Sequence, residues 1–249
     1  MENEAIVVFH FPFIMALPFF YKQDLDSLAV DVLLDEDTSK HIVQVLRMQN
    51  KAQLQLTNGR GDLFTAEITD SNRKKCAVRI LKTTATQRSV SNTTLAISLI
   101  KNNHRFEWFL EKATEIGVFQ IVPIICERTE KTAFKFDRMK SILISAMLQS
   151  QQSWLPILQE PIKLADFVKQ VGAMNKFIAH CENSEAKIQL HSLQPFTHSA
   201  ILIGPEGDFT IDEIAMALQN NFIPVALGNT RLRTETAGVV AATLLAMAE

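Results

Sequence analysis

The stretch ALGNTRLRTETAG, residues 226–238, ends an apolar run, turns through polar residues and starts a helix that continues VVAATLLAMA. Arg231, Arg233 and Glu235 therefore stand where the chain is about to become almost wholly apolar. A solvated helix start accounts for one charge, because an acidic residue in a first turn favours the helix dipole. Three charges beside a buried segment point to a site.

Upstream lies a second loop with the same design, LIGPEGDFTIDE (202–213), after the apolar run AILI. Taken alone, Gly204-Pro205-Glu206-Gly207 reads as a tight turn, with Pro205 setting one φ and Gly207 supplying a positive one. Thr210 and Glu213 then form a T-x-x-E capping box for a helix. The pairing of two such loops changes the balance. In a parallel sheet, loops leaving the carboxyl ends of strands share the edge where ligands bind. One helix separates the two strands, so the loops are expected side by side. Gly204, Gly207 and Gly228 would let a ligand approach the backbone closely. Neither loop matches a dinucleotide or P-loop fingerprint, which argues against a nucleotide-binding oxidoreductase. A serine elbow and a Cys–His pair are also absent from the sequence, which weakens hydrolase readings.

Outward from these loops, residues 93 onward alternate apolar strands with helices. TLAISLI (94–100), FQIVPII (119–125), KFIAHC, SAILIG and IPVALG read as strands. RFEWFLEKATEIG (105–117), stopping at Gly117, FDRMKSILISAMLQSQQ and TIDEIAMALQNN read as helices. Uniformly apolar strands between helices predict a mainly parallel sheet covered on both faces, an α/β fold. Before residue 90 the rhythm is that of a small β-barrel. AQLQLTNGRGDLFTAEI (52–68) alternates about Asn58-Gly59 as a hairpin does, and KKCAVRIL (74–81) adds a strand. DTSKHIVQVLRM (37–48) predicts a short helix capped by Asp37 or Thr38, with Ile42, Val45 and Leu46 on one face. The polar segment TQRSVSN (86–92) is the expected linker. The domains are thus 15–88 and 91–249, and residues 1–14 are expected to lie outside the fold, with Met15 as a natural start. The acidic leading segment does not suit an export signal.

The chain has 249 residues, 47% hydrophobic and 21% charged, with a net charge of −2, so any nucleic-acid contact needs a local basic patch. Residues 71–90 provide one: Arg73, Lys74, Lys75, Arg79, Lys82 and Arg88, with no acidic residue among them. Clustered positive charge suits phosphates; the competing reading is a strand edge protected by charge. Three separated cysteines, Cys76, Cys126 and Cys181, suggest a reduced cytoplasmic protein rather than a disulfide framework. The histidines show no ligand spacing, so no metal is expected; no membrane partner is expected either.

IGPEGDFTIDE followed by VALGNTRLRTETAGVVAATLL resembles the signature pair of the RsmE family of the SPOUT superfamily. These are bacterial enzymes that use S-adenosyl-L-methionine to methylate N3 of a uridine in 16S ribosomal RNA. HIVQVLRM and LTNGRGDLFTAEI resemble that family's PUA-like barrel. KNNHRFEWFLEKATEIGVFQIVPIICERTE (101–130) resembles its lysine-led segment, with Lys101, Lys112, Glu115 and Arg128 at matching places. The likeness runs from about Leu17 to the end. It implies a SPOUT-type C-terminal domain with a trefoil knot, preceded by a PUA-like RNA-binding barrel, in a homodimer acting on rRNA in the small ribosomal subunit.

It also implies a cofactor pocket of Leu202, Gly204, Pro205, Glu206, Gly207, Leu227, Gly228, Leu232, Thr236 and Ala237. Arg233, Arg231 and Glu235 become the catalytic candidates: Arg233 first for the uridine or its developing charge, Glu235 as a holder of Arg233 or a dipole partner. Arg47, Arg60, Arg73, Lys74, Lys75 and Lys101 become the RNA side. Where many relatives carry a Gln-Ser/Cys-Gly-Arg stretch, this chain reads LQSQQSWLP (148–156), without arginine, and Gln151 or Gln152 is the candidate substitute. The rival readings are a SPOUT methyltransferase for another RNA position or transfer RNA, and a non-catalytic ribosome-assembly protein.

Overall fold

The computed structural model describes residues 17–88, 92–182, 187–193 and 197–246. The expectations about residues 1–14 and Met15, and the part of the polar segment at 89–91, fall outside these residues. The chain divides into two units, one of Met1–Thr57 with Leu63–Thr84, the other of Asn58–Asp62 with Ala85–Glu249.

The first unit is a five-stranded sheet ordered β1 (Phe19–Tyr21), β3 (Gln53–Thr57), β4 (Asp62–Asp70), β5 (Ala77–Ala85) and β2 (Asp31–Leu33). The β3–β4 hairpin forms as its alternation predicts, and Leu54, Leu56, Phe64, Ala66 and Ile68 turn into one apolar core. Its turn spends both glycines at positive φ, Gly59 at 72° and Gly61 at 94°. The helix expected over 37–48 is shorter and differently wound. It starts one residue earlier, capped by Asp35, whose carboxylate accepts the Thr38 N–H, and runs as α1 (Glu36–Lys40). A π-type turn follows over His41–Val45. There the Leu46 N–H bonds to the His41 carbonyl, five residues back. That underwinding shifts the phase of the apolar stripe. Ile42 and Val43 meet the core, whereas Val45 and Leu46, expected on the same face, point to solvent.

The second unit holds an eight-stranded sheet whose described pairings are all parallel. Its order is β11 (Ile188–Gln189), β13 (Ile223–Ala226), β10 (Asn175–Ala179), β12 (His198–Ile203), β6 (Asn92–Ser98), β7 (Gln120–Ile125) and β8 (Ile157–Leu158); β9 (Ile162–Lys163) also pairs with β7. Helices α2 (Asn103–Ile116), α3 (Phe136–Gln149) and α6 (Thr234–Ala246) cover one face, while α4 (Leu164–Gln170) and α5 (Ile211–Gln219) cover the other. The signals for α2 and α5 are met at their ends. Gly117 closes α2 at φ 89°, and Thr210 with Glu213 forms the full capping box of α5. The short elements between Ile157 and Gln170 carry no pattern strong enough to announce them.

The segment expected as a loose linker is held within the second unit. The Thr86 N–H donates to the Gly61 carbonyl at 2.8 Å. The Arg88 guanidinium lies 3.9 Å above the Phe119 ring and donates to its carbonyl at 3.1 Å. Burial pushes the Arg88 guanidinium pKa down. Arg88 therefore leaves the basic strip, and Arg79 is paired with Asp31 at 2.9 Å.

Helix α6 lies very close to the sheet because Gly238 has no side chain. A Cβ there would stand 2.6 Å from Phe109 and 2.8 Å from Ile97, both wholly buried. Alanine would gain about 1 kcal/mol of helix propensity, but contacts this short belong at the severe end of overpacking, about 3 kcal/mol. Gly238→Ala should therefore lose about 2 kcal/mol net, read as a lower denaturant midpoint with an unchanged slope. An unchanged or raised midpoint would mean that α6 can move away.

Candidate active site at the carboxyl edge of the parallel sheet

The two glycine loops meet, though not as neighbours in the sheet. Strand β10 stands between β12 and β13. The loop leaving β13 reaches across to the end of β12, where the Thr234 hydroxyl donates to the Gly204 carbonyl at 3.0 Å. Strand β10 thereby contributes its own end, Ala179 and Cys181, to the floor between the loops. The result is a cleft of two adjoining lobes. One, about 440 Å³, is lined by Gly204, Pro205, Glu206, Asp208, Arg231, Leu232, Arg233, Ala237 and, from α2, Arg105. The other, about 430 Å³, is lined by His180, Lys187, Leu227, Gly228, Asn229 and Thr230, and shares Ala179, Cys181, Arg231, Leu232 and Ala237 with the first. Both volumes suit a small-molecule ligand. A roomier cleft of about 700 Å³ runs along α2 and α3, but it contains none of the loop residues.

Local chemistry explains why the first loop keeps its shape. Gly204 packs under Phe209, whose ring carbons would lie 3.0 Å from a Cβ. Asp208 sits at φ 63°, held by its carboxylate accepting the Cys181 N–H at 2.8 Å and the Phe209 N–H at 2.9 Å. Arg128, from the loop after β7, donates to the Gly207 carbonyl at 2.7 Å. The Glu213 carboxylate accepts the Glu127 N–H at 2.8 Å as well as the Thr210 N–H at 2.9 Å, so that loop is fixed to the start of α5. Gly228, at φ 151°, has nothing within 4 Å of a Cβ position and leaves the second lobe open.

Most of the expected pocket residues line this cleft, and some do not. Leu202 is wholly buried in the core on the α4–α5 face. Gly207 faces Arg128 rather than the cavity. Thr236 is part of α6 and is not among the lining residues. The expected pairing of Glu235 with Arg233 does not form. Glu235 is only 6% exposed, with one oxygen 3.7 Å from Arg105 and the other without a hydrogen-bond partner. The reason is helical geometry: the second residue of α6 turns inward toward α2, while Arg231 and Arg233 precede the helix and are exposed. Arg105, which also lies 3.8 Å from Glu206, thus connects both loops. Its position on an amphipathic helix gave it no distinguishing mark.

The RNA-side candidates Arg47, Arg60, Arg73, Lys74 and Lys75 are all exposed. Arg47 holds φ 55° just after the π-type turn, and the Asn72 carboxamide gathers the Lys74 and Lys75 N–H groups into a tight turn. Lys101 is paired with Glu130 at 2.6 Å, and that hydrogen bond raises its pKa. Gln152 is committed: its amide donates to the Thr114 and Glu115 carbonyls at the end of α2. Gln151, at φ 58°, is exposed and bonds back to Leu148. Among the described residues there is no group of three potential metal ligands, and no helix is long and apolar enough to cross a membrane.

The fold agrees with sequence-family comparison. The RNA methyltransferase domain model matches residues 86–246, and the RNA methyltransferase PUA domain model matches residues 34–81. This chain is an RNA methyltransferase by family. It is 37% identical to a "probable rRNA-methyltransferase" from Porphyromonas gingivalis, covering 93% of this chain and 98% of that one with a TM-score of 0.86. A ribosomal RNA small subunit methyltransferase E from Neisseria gonorrhoeae, crystallised with S-adenosylmethionine, is 30% identical over 91% of this chain and 95% of that one, TM-score 0.81. The enzyme of the same name from Rickettsia conorii is 29% identical over 211 residues, 84% of this chain and 86% of its own. The chain belongs to the ribosomal RNA small subunit methyltransferase E family.

The cysteines give a simple probe of this site. Burial pushes the Cys126 thiol up to about 12 and raises Cys76 as well, whereas Cys181 lies exposed in the cleft. A thiolate-selective reagent at mildly alkaline pH should therefore label Cys181 quickly and the other two only after denaturation, since the thiolate is the reactive form. Fast labelling of a second cysteine would contradict the burial.

Proposed function

We propose that this protein transfers a methyl group from S-adenosylmethionine to N3 of a uridine in 16S rRNA, acting in the cytoplasm on the small ribosomal subunit. The observation that carries the reading is the cleft closed by the Thr234–Gly204 bond in a chain of this family. The residues suit the cofactor. Ile203, Leu227, Leu232 and Ala237 offer apolar walls, and Gly204 and Gly228 expose backbone to a ligand. When bound, the sulfonium supplies an electrophilic methyl group. The chain's own task is to orient the acceptor base and stabilise its charge.

Arg233 is assigned to the uracil oxygens, where a planar guanidinium meets developing negative charge; Arg231 stands beside it. Both are exposed and form no ion pair among the described residues, which leaves them available to a nucleic acid. Residues 15–88 are assigned to RNA binding through Arg47, Arg60, Arg73, Lys74 and Lys75, and 91–249 to methyl transfer, with Lys101 near the target. The chain path over β10 supports the trefoil knot of the SPOUT fold. Val239, Val240 and Leu244 of α6 are only partly buried, although Val239 and Leu244 also pack on the core, and the apolar remainder of that helix supports a homodimer through it.

Nucleoside mass spectrometry of 16S rRNA from cells with and without the gene tests the reaction: N3-methyluridine should disappear on deletion. Calorimetry should detect S-adenosylhomocysteine binding without added metal, and the bound ligand should slow Cys181 labelling. Binding of NAD but of neither sulfur cofactor would overturn the reading.

Arg233→Ala should fold and bind cofactor within a few-fold, yet lose roughly two to three orders of magnitude in single-turnover rate. Arg233→Lys should recover little, since a point charge does not reproduce a planar fork. Replacing Arg73, Lys74 and Lys75 together by alanine should leave cofactor affinity alone, weaken RNA binding and flatten its salt dependence by roughly two to three units of slope. Unchanged RNA affinity would assign that turn to solubility.

A further inference from the structure

N3 of uridine carries a proton that must leave as the methyl group arrives, so a proton acceptor belongs in the cleft. This inference rests on the function proposed above. The carboxylates at hand are Glu206, Asp208 and Glu235, and their surroundings separate them. Asp208 is committed, with one oxygen on the Cys181 N–H and the other on the Phe209 N–H. Glu235 is 6% exposed and is not part of the lining. Glu206 lines the cleft with its side chain 38% exposed, and its one described partner is the Arg105 guanidinium at 3.8 Å, beyond hydrogen-bond range. His180, in the other lobe, is 7% exposed and lies with Leu227–Thr230, away from Arg105.

We propose that Glu206 is the proton acceptor of the methyl transfer, aimed by Arg105, which Glu235 anchors from the buried start of α6. Arg105 stands between the two carboxylates, 3.7 Å from the buried one and 3.8 Å from the one in the cleft. The buried carboxylate is fixed by its helix, so the guanidinium is held from below, and Glu206 is held in turn without losing its lone pairs to a close donor. In the reaction Glu206 takes the N3 proton while the N3 electron pair forms the N–CH3 bond. The C–S electron pair leaves with sulfur, which passes from sulfonium to thioether. The carboxylate's negative charge and the sulfonium's positive charge vanish together. A carboxylate is basic enough because N3–H becomes strongly acidic as the new bond forms.

The test is Glu206→Gln, which keeps shape and polarity but cannot accept a proton. The charged groups around it are Arg105 from α2, Lys101 from the end of β6, and Arg231, Arg233 and Asp208 in the cleft lining. S-adenosylhomocysteine affinity by calorimetry should stay within a few-fold of wild type. Single-turnover methylation of rRNA should fall by roughly 10²–10⁴-fold, the range for a lost general base. The residual rate should rise in direct proportion to hydroxide, because solvent must then remove the proton. Arg105→Ala should lower the rate by up to about 10²-fold through misplacement of Glu206, with KM for the cofactor little changed; Arg105→Lys should restore part of it. A Glu206→Gln protein that methylates at the wild-type rate overturns the assignment. So does one that loses cofactor binding in step with its rate, since Glu206 would then be a cofactor ligand. Wild-type protein that binds the probe but makes no N3-methyluridine overturns the functional reading itself, and this inference falls with it.

Discussion

One hydrogen bond organises the carboxyl edge of this sheet: the Thr234 hydroxyl on the Gly204 carbonyl, buried at 3.0 Å. It joins the end of β12 to the start of α6 across the tip of β10. A net contribution of about 1 kcal/mol is ordinary for such a bond. Its importance is positional, because two loops that would each be a plain turn become the two walls of one cleft. The closeness of α6 to the sheet at Gly238 serves the same end. With no side chain to hold the helix away, the start of α6 comes down to the level where Gly204 can be reached.

The large features were legible because they rest on local signals. Alternation about Asn58-Gly59, continuous apolar strands after residue 93, Gly117 as a stop and Thr210–Glu213 as a cap are short-range instructions, and the fold obeys them. The features that were missed depend on long-range placement. That β10 separates the two signature strands is a fact of sheet order, which spacing along the chain does not carry. Arg105 is an ordinary polar-face residue until Glu206 and Glu235 arrive beside it from more than ninety residues away. Arg88 looked like one more charge in a basic run; only the Phe119 ring makes it a packed group. The phase error at Val45 and Leu46 has a different origin. A single π-type turn breaks the 3.6-residue period on which the helical stripe was read. The family likeness supplied the cofactor and the reaction, which composition and periodicity could not.

Electrostatics at this edge resolve an apparent conflict between a net charge of −2 and a nucleic-acid substrate. Apart from Glu206, the acidic side chains near the cleft are engaged by backbone N–H groups or by a cation. Asp208 accepts backbone N–H groups, Glu213 accepts the Glu127 and Thr210 N–H groups, and Glu130 pairs with Lys101. Cations are thus left facing outward although the whole chain is slightly acidic. Local arrangement, not total charge, sets the potential a phosphate meets.

Glu235 is the clearest case of that partition. At the second position of α6 it lies near the positive end of the helix dipole, where a carboxylate is favoured. It is also buried, and a buried carboxylate needs compensation. Had Arg233 supplied it, an exposed cation of the cleft lining would have been consumed in holding the helix. Arg105 supplies it from α2 instead, at 3.7 Å, and Arg231 and Arg233 stay exposed with no carboxylate partner among the described residues. The charges of the NTRLRTE stretch (229–235) therefore divide by geometry: the acid turns inward to a cation on another helix, and the two cations preceding the helix turn outward. That division lets one short stretch close the cleft and leave two cations facing outward at once.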